Sequence, residues 1–97
     1  MKDLVKVKSI KEIKYIVLKL KKEKKKIVFT NGCFDLLHPG HIKILKEAKR
    51  LGNVLIVGLN SDSSIKKIKG SLRPILDQKA RLEILSAISY VDYIVLF

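Results

Sequence analysis

Ile27-Val28-Phe29-Thr30-Asn31-Gly32-Cys33-Phe34-Asp35-Leu36-Leu37-His38-Pro39-Gly40-His41 begins as a β-branched and aromatic run and ends as a helix start. Residues 27–30 read as a buried strand, and Asn31-Gly32 as the turn that closes it. Pro39 suits the first turn of a helix, where a missing amide donor costs nothing. Ile42, Leu45, Ala48 and Leu51 then recur at helical spacing up to Gly52 and supply a buried face. Val54-Leu55-Ile56-Val57-Gly58-Leu59 follows, apolar on both faces as a parallel strand covered by helices must be. Strand, helix and strand together predict a doubly wound parallel α/β sheet of Rossmann-like type, with ligands beyond the carboxyl ends of its strands.

Upstream, Ser9 and Glu12 have the spacing of a capping box, so a helix is expected over about residues 9–25. Ile10, Ile13, Ile16, Val17 and Leu20 form its apolar stripe, and its lysines face water. Downstream, residues 61–77 read as a long polar connection with a helical turn around 64–68, and Arg73-Pro74 disfavours helix just before the proline. Helical spacing resumes with Leu82, Leu85 and Ile88, and residues 93–97 form a last apolar strand. A sheet of three strands leaves an open edge that favours self-association, so a homodimer is expected.

Ninety-seven residues support one core and not two, which makes 1–97 a single domain. The lone cysteine, Cys33, excludes an internal disulfide and a cysteine-built zinc site. No signal peptide is legible and no apolar run approaches the ~20 residues of a membrane span, so a cytoplasmic protein without a membrane partner is expected. The net charge of +12 is unevenly placed: residues 1–26 hold eleven lysines against Asp3, Glu12 and Glu23, a net +8. Residues 19–26 contain six lysines with no aromatic side chain to stack on bases and no arginine to read them, so the run reads as a solvated helix end and nucleic acid is not an expected partner.

The stretch from Asn31 to His41 lies between a strand and a helix start, where free amides and the positive end of the helix dipole favour an anion. Gly32 and Gly40 let backbone approach such an anion closely. His38 and His41, the two histidines of the chain, stand three residues apart across the helix start and can aim imidazole donors at one phosphate.

With Asn31-Gly32-Cys33-Phe34-Asp35 before it, His38-x-Gly40-His41 resembles the HxGH signature of the cytidylyltransferase-like nucleotidyltransferases. Followed by Gly58-Leu59-Asn60-Ser61-Asp62, Lys69-Gly70 and Arg73-Pro74, it is most similar to the adenylyltransferase domains of the ADP-heptose synthase family, over residues 9–97. That resemblance implies transfer of AMP from ATP to D-glycero-β-D-manno-heptose 1-phosphate with release of pyrophosphate, on the route to lipopolysaccharide or related glycans. It implies catalytic roles for His38, His41 and Lys69, and nucleotide contacts from Asn31, Gly32, Cys33, Phe34, Gly40 and Lys67. It further implies substrate contacts from Asp35, Asp62 and Arg73, with Mg2+ accompanying the triphosphate and no metal held by the chain's own residues.

The chemistry is consistent with this. A sugar phosphate oxygen is already anionic, so alignment and charge stabilisation are needed and a general base is not. Cys33 then reads as a packed thiol. Asp35 either orients the loop or helps with the metal, Asp62 either touches substrate or caps a turn, and Arg73 either binds phosphate or steers the turn at Pro74. Arg81 reads equally as a surface or subunit contact and as a ligand contact. The family continues past residue 97 into a Ser/Thr-rich second signature that covers the nucleotide, so this truncated version is expected to be a poor catalyst by itself. Two other functions stay open: a cytidylyltransferase for a polyol phosphate such as glycerol 3-phosphate, and a non-catalytic basic module for nucleotides or nucleic acid.

Overall fold

The computed structural model describes residues 4–97; the first three residues of the expected 1–97 domain lie outside it. Its elements are β1 (Val7–Lys8), α1 (Ile10–Lys22), β2 (Ile27–Gly32), α2 (Pro39–Arg50), β3 (Val54–Leu59), α3 (Asp62–Lys69), α4 (Gln78–Ser86) and β4 (Tyr93–Leu96). The sheet is parallel throughout with strand order β1-β4-β3-β2, which is the doubly wound α/β arrangement expected.

Side-chain alternation along β3 explains the two layers. Leu55, Val57 and Leu59 point to one face and meet Leu45 of α2 and Leu82 and Leu85 of α4. Ile56 points to the other, where Ile13 of α1 and Val95 of β4 close over it. A strand buried on both faces needs a continuous apolar run, and β3 has one.

Four strands replace the three expected. β1 is only two residues long and pairs through Val7↔Ile94 and Lys8↔Val95, a contact that no local pattern announces. One edge of the sheet is therefore this short ladder and the other is β2. α1 starts as expected at Ser9, whose hydroxyl accepts from Glu12 N at 3.1 Å while Glu12 accepts from Ser9 N at 2.8 Å. It stops at Lys22, earlier than the expected 25. Lys24 adopts a left-handed φ of 58°, Lys24 N donates to Lys21 O and Lys25 N to Leu20 O, each at 3.0 Å. This is the closing pattern that usually recruits glycine, here built on lysine. Ile10 and Leu51, expected on buried faces, are 57% and 63% exposed, each at the end of its helix.

The long polar connection also gains structure. Residues 62–69 form a full helix, α3, capped by the Ser61 hydroxyl accepting from Ser64 N at 3.2 Å and closed by Gly70 at φ 96°. Ile65, fully buried, is its anchor.

Candidate active site

Three loops meet at the carboxyl ends of the strands: 33–38 after β2, 60–61 after β3, and 70–77 between α3 and α4. The first turns sharply at Phe34, whose φ of 47° is unusual for a residue with a side chain. Its ring folds back on Gly32, where an added Cβ would stand 3.0 Å from the ring. The ring also packs tilted against His41, with centroids 5.4 Å apart. Gly32 thus makes room for Phe34. Gly40 likewise makes room for His38, since a Cβ there would lie 2.8 Å from that imidazole.

The two histidines cap α2 reciprocally. Nδ1 of His38 accepts from Gly40 N at 3.1 Å, and Nδ1 of His41 accepts from His38 N at 3.2 Å. An acceptor nitrogen carries no proton, so in each neutral ring the proton sits on Nε2, which is left as an outward donor. The rings lie 4.0 Å apart between centroids. Burial first, and then the neighbouring His38, lowers the pKa of His41 below its ordinary value and so favours its neutral form. A cleft of about 410 Å³ lined by Leu37, His38, Pro39 and Ile42 opens beside them.

Asp35 is buried and fully engaged. Ile75 N donates to both of its oxygens at 2.9 and 3.0 Å, Leu76 N donates at 2.9 Å, and Arg73 approaches at 3.4 Å. Desolvation raises its pKa, but the amides of Leu76 and Ile75 and the Arg73 charge outweigh this and leave it below the ordinary aspartate value. The loop-orienting role is the one this geometry supports. A carboxylate with a depressed folded pKa stabilises the fold above its unfolded pKa and loses that contribution as pH falls through the folded pKa. Asp35→Asn is accordingly expected to destabilise by about 1–3 kcal/mol at neutral pH, with the difference from the parent narrowing below about pH 4. Thermal melts of both proteins across pH 3–7 check this, and a constant difference would remove Asp35 from the acid response.

The family described as cytidylyltransferase-like matches residues 29–97, which is the β2-loop-α2 unit just described and everything after it. The chain belongs to the cytidylyltransferase-like family. The bifunctional protein HldE of Campylobacter concisus is 54% identical over 92 residues, covering 95% of this chain and 19% of that protein. That of Aliarcobacter butzleri is 55% identical over 91 residues, covering 94% and 19%. The chain spans about a fifth of the length of these curated relatives. Among solved structures, a lipopolysaccharide core biosynthesis protein from Thermoplasma volcanium shares 40% identity at a TM-score of 0.69, over 75% of this chain and 58% of that one. Family and relatives point to a nucleotidyltransferase.

Within this cytidylyltransferase-like chain, the residue that sequence reasoning missed is Arg81. It is 1% exposed, neither a surface nor a subunit contact. Its Nε donates to Leu76 O at 3.0 Å, Nη1 to Cys33 O at 2.8 Å and Asn60 O at 2.6 Å, and Nη2 to Asp62 Oδ1 at 2.8 Å. One guanidinium therefore ties all three loops, and Asp62 is occupied by it. The available signal was spacing: Arg81, Leu85 and Ile88 fall on one helical face, which puts the arginine on the buried side of α4.

The remaining expected residues are less closely gathered. Asn31, one residue before the end of β2, is exposed beside Phe29 and Phe97 in a second groove. Cys33 is half-buried and contributes its carbonyl to Arg81. Arg73 keeps its side chain 47% exposed. Lys67 and Lys69 are exposed on the last turn of α3. Residues two apart on a helix diverge by about 200°, so one of these lysines at most faces the histidines. Among the described residues no three His, Cys, Asp or Glu side chains form a group able to hold a metal.

Proposed function

We propose that the chain forms the phosphate-handling part of an adenylyltransferase that joins AMP from MgATP to a sugar 1-phosphate, with heptose 1-phosphate as acceptor. The observation that carries this reading is the reciprocal histidine cap, which commits both Nδ1 atoms to backbone amides and leaves two Nε2 donors side by side. An acceptor phosphate oxygen attacks the α-phosphorus, the new P–O bond gives the sugar diphosphate-linked nucleotide, and the bond to the β-phosphate breaks to release pyrophosphate. The acceptor arrives ionised, so no proton need be removed. Negative charge grows on the α-phosphate oxygens and on the leaving group, where fixed donors stabilise the transition state more than the ground state.

In this reading His38 and His41 act on that charge. Arg73 and one of Lys67 and Lys69 neutralise phosphate, and Asp35 and Arg81 hold the loops in place. The lipopolysaccharide assignment of the Thermoplasma volcanium protein favours a sugar acceptor. A cytoplasmic homodimer completes the proposal.

Calorimetry with MgATP is expected to give binding heat, with amide shifts at Gly32, Gly40 and His41. In a protein extended through the Ser/Thr-rich second signature of the family, pyrophosphate release is expected with heptose 1-phosphate and ATP in preference to glycerol 3-phosphate and CTP. A folded protein with neither heat nor shifts would overturn the cradle. Preference for CTP and glycerol 3-phosphate would overturn the substrate assignment alone.

A further inference from the structure

The charge of this protein is not gathered where the phosphates would bind. α1 leaves the carboxyl end of β1 and returns to the start of β2, so it runs against the strands. Its lysine-rich end, with Lys19, Lys21 and Lys22 in the last turn, lies at the amino-terminal end of the strands, whereas His38 and His41 follow the carboxyl end of β2. Nucleotide binding therefore does not explain it.

Opposite Ile13, the one buried residue of α1, a rotation of about 100° per residue places Lys11, Tyr15, Leu18 and Lys22 on a single outward line. Tyr15 is 70% exposed and Leu18 68%. Lys14, Lys19 and Lys21 flank them, all exposed. The only acid within the helix is Glu12, whose carboxylate accepts from Ser9 N in the cap. Among the described residues no lysine of α1 is in an ion pair. Shallow hollows border Tyr15 on both sides, one reaching Leu18, Lys19 and Lys22 and the other Lys8 and Lys11.

We propose that this face of α1 docks flat on an anionic lipid bilayer. Lysines around a helix pole with apolar side chains at its centre match such a surface: the ammonium groups meet the headgroups while Tyr15 and Leu18 enter the acyl boundary. A nucleic acid would use the lysines but offers Leu18 nothing apolar, and α1 has no arginine. The expectation of no membrane partner rested on the missing span. No helix among the described residues can cross a membrane, but a helix lying on the surface needs neither that length nor that hydropathy. The cradle, at the carboxyl ends of the strands, stays open while α1 is docked.

Co-sedimentation of the purified chain with vesicles tests this. Binding is expected to phosphatidylcholine mixed with phosphatidylglycerol and not to phosphatidylcholine alone. The double variant Tyr15→Ser, Leu18→Ser is expected to bind roughly tenfold more weakly, and Lys19→Glu with Lys22→Glu weaker still by a similar factor or more. All four side chains are exposed, and an unchanged circular dichroism spectrum confirms the fold. Absence of binding to the mixed vesicles, or full retention by the Tyr15→Ser, Leu18→Ser variant, overturns the proposal. So does tight binding of single-stranded RNA that displaces the vesicles and is indifferent to that variant, which would make the face a nucleic-acid surface.

Discussion

Replacing His41 by asparagine is expected to slow adenylyl transfer roughly 100- to 1,000-fold while changing ATP affinity far less, because the lost donor acts on charge that grows in the transition state. Asparagine separates the two jobs of this histidine. Its Oδ1 can take the place of Nδ1 and accept from the His38 amide, a bond of 3.2 Å in the parent, but nothing replaces the Nε2 proton. Glutamine does the reverse, offering a donor near Nε2 and abandoning the cap. Donor catalysis predicts a slow asparagine variant and a partly active glutamine variant; a purely structural role predicts the opposite order. Cys33→Ser is expected to be nearly neutral, since the thiol has no step to perform. Pyrophosphate release in a protein extended through the Ser/Thr-rich second signature of the family measures all three, and near-normal turnover in His41→Asn would refute the donor role.

The second large effect is expected at Arg81. Methionine fits the space but leaves the carbonyls of Cys33, Asn60 and Leu76 and the Asp62 carboxylate without their partner. Breaking a buried charged network from one side costs about 3–5 kcal/mol, a large share of the roughly 5–15 kcal/mol that holds a small domain together. Thermal melts should therefore show Arg81→Met falling by about 12 °C or more, or failing to fold. Arg81→Lys, which keeps the charge but can reach fewer of the four acceptors, should lie between. A loss below about 1 kcal/mol in the methionine variant would mean that the loops hold themselves.

The unit from β2 to β3 was legible because its signals are local: β-branched residues, Pro39 and a helical repeat; Asn31-Gly32, read as the closing turn, instead stays in the strand opposite Gly58 and Leu59, and the chain turns at Phe34. The histidine pair was legible for the same reason, although their reciprocal caps were not, since hydrogen bonds to Nδ1 depend on loop geometry that spacing alone does not fix. β1 escaped because two residues make no pattern, and its partner lies at the far end of the chain. The end of α1 was misplaced because Lys24 takes a conformation for which the rules look for glycine. Arg81 escaped because a charge is read by default as exposed. Its helical register with Leu85 pointed inward, and the acceptors that make burial tolerable come from three separate loops. Asp35 was half read: the loop role was foreseen, but not that Ile75 and Leu76, forty residues away, would supply the amides.

Val7 pairs with Ile94, 87 positions further along the chain. During synthesis the first strand emerges long before its partner exists, so it must wait while β2 and β3, separated by a single helix, can already pair. Closing that large loop comes with an entropic toll and a reward of only two paired residues. The order of assembly that follows runs outward from β2 and β3 to β4, with β1 docking last. Since β1 leads directly into α1, the ladder at that far edge adds a second tether to a basic helix that Ile13 already anchors on Ile56 and Val95.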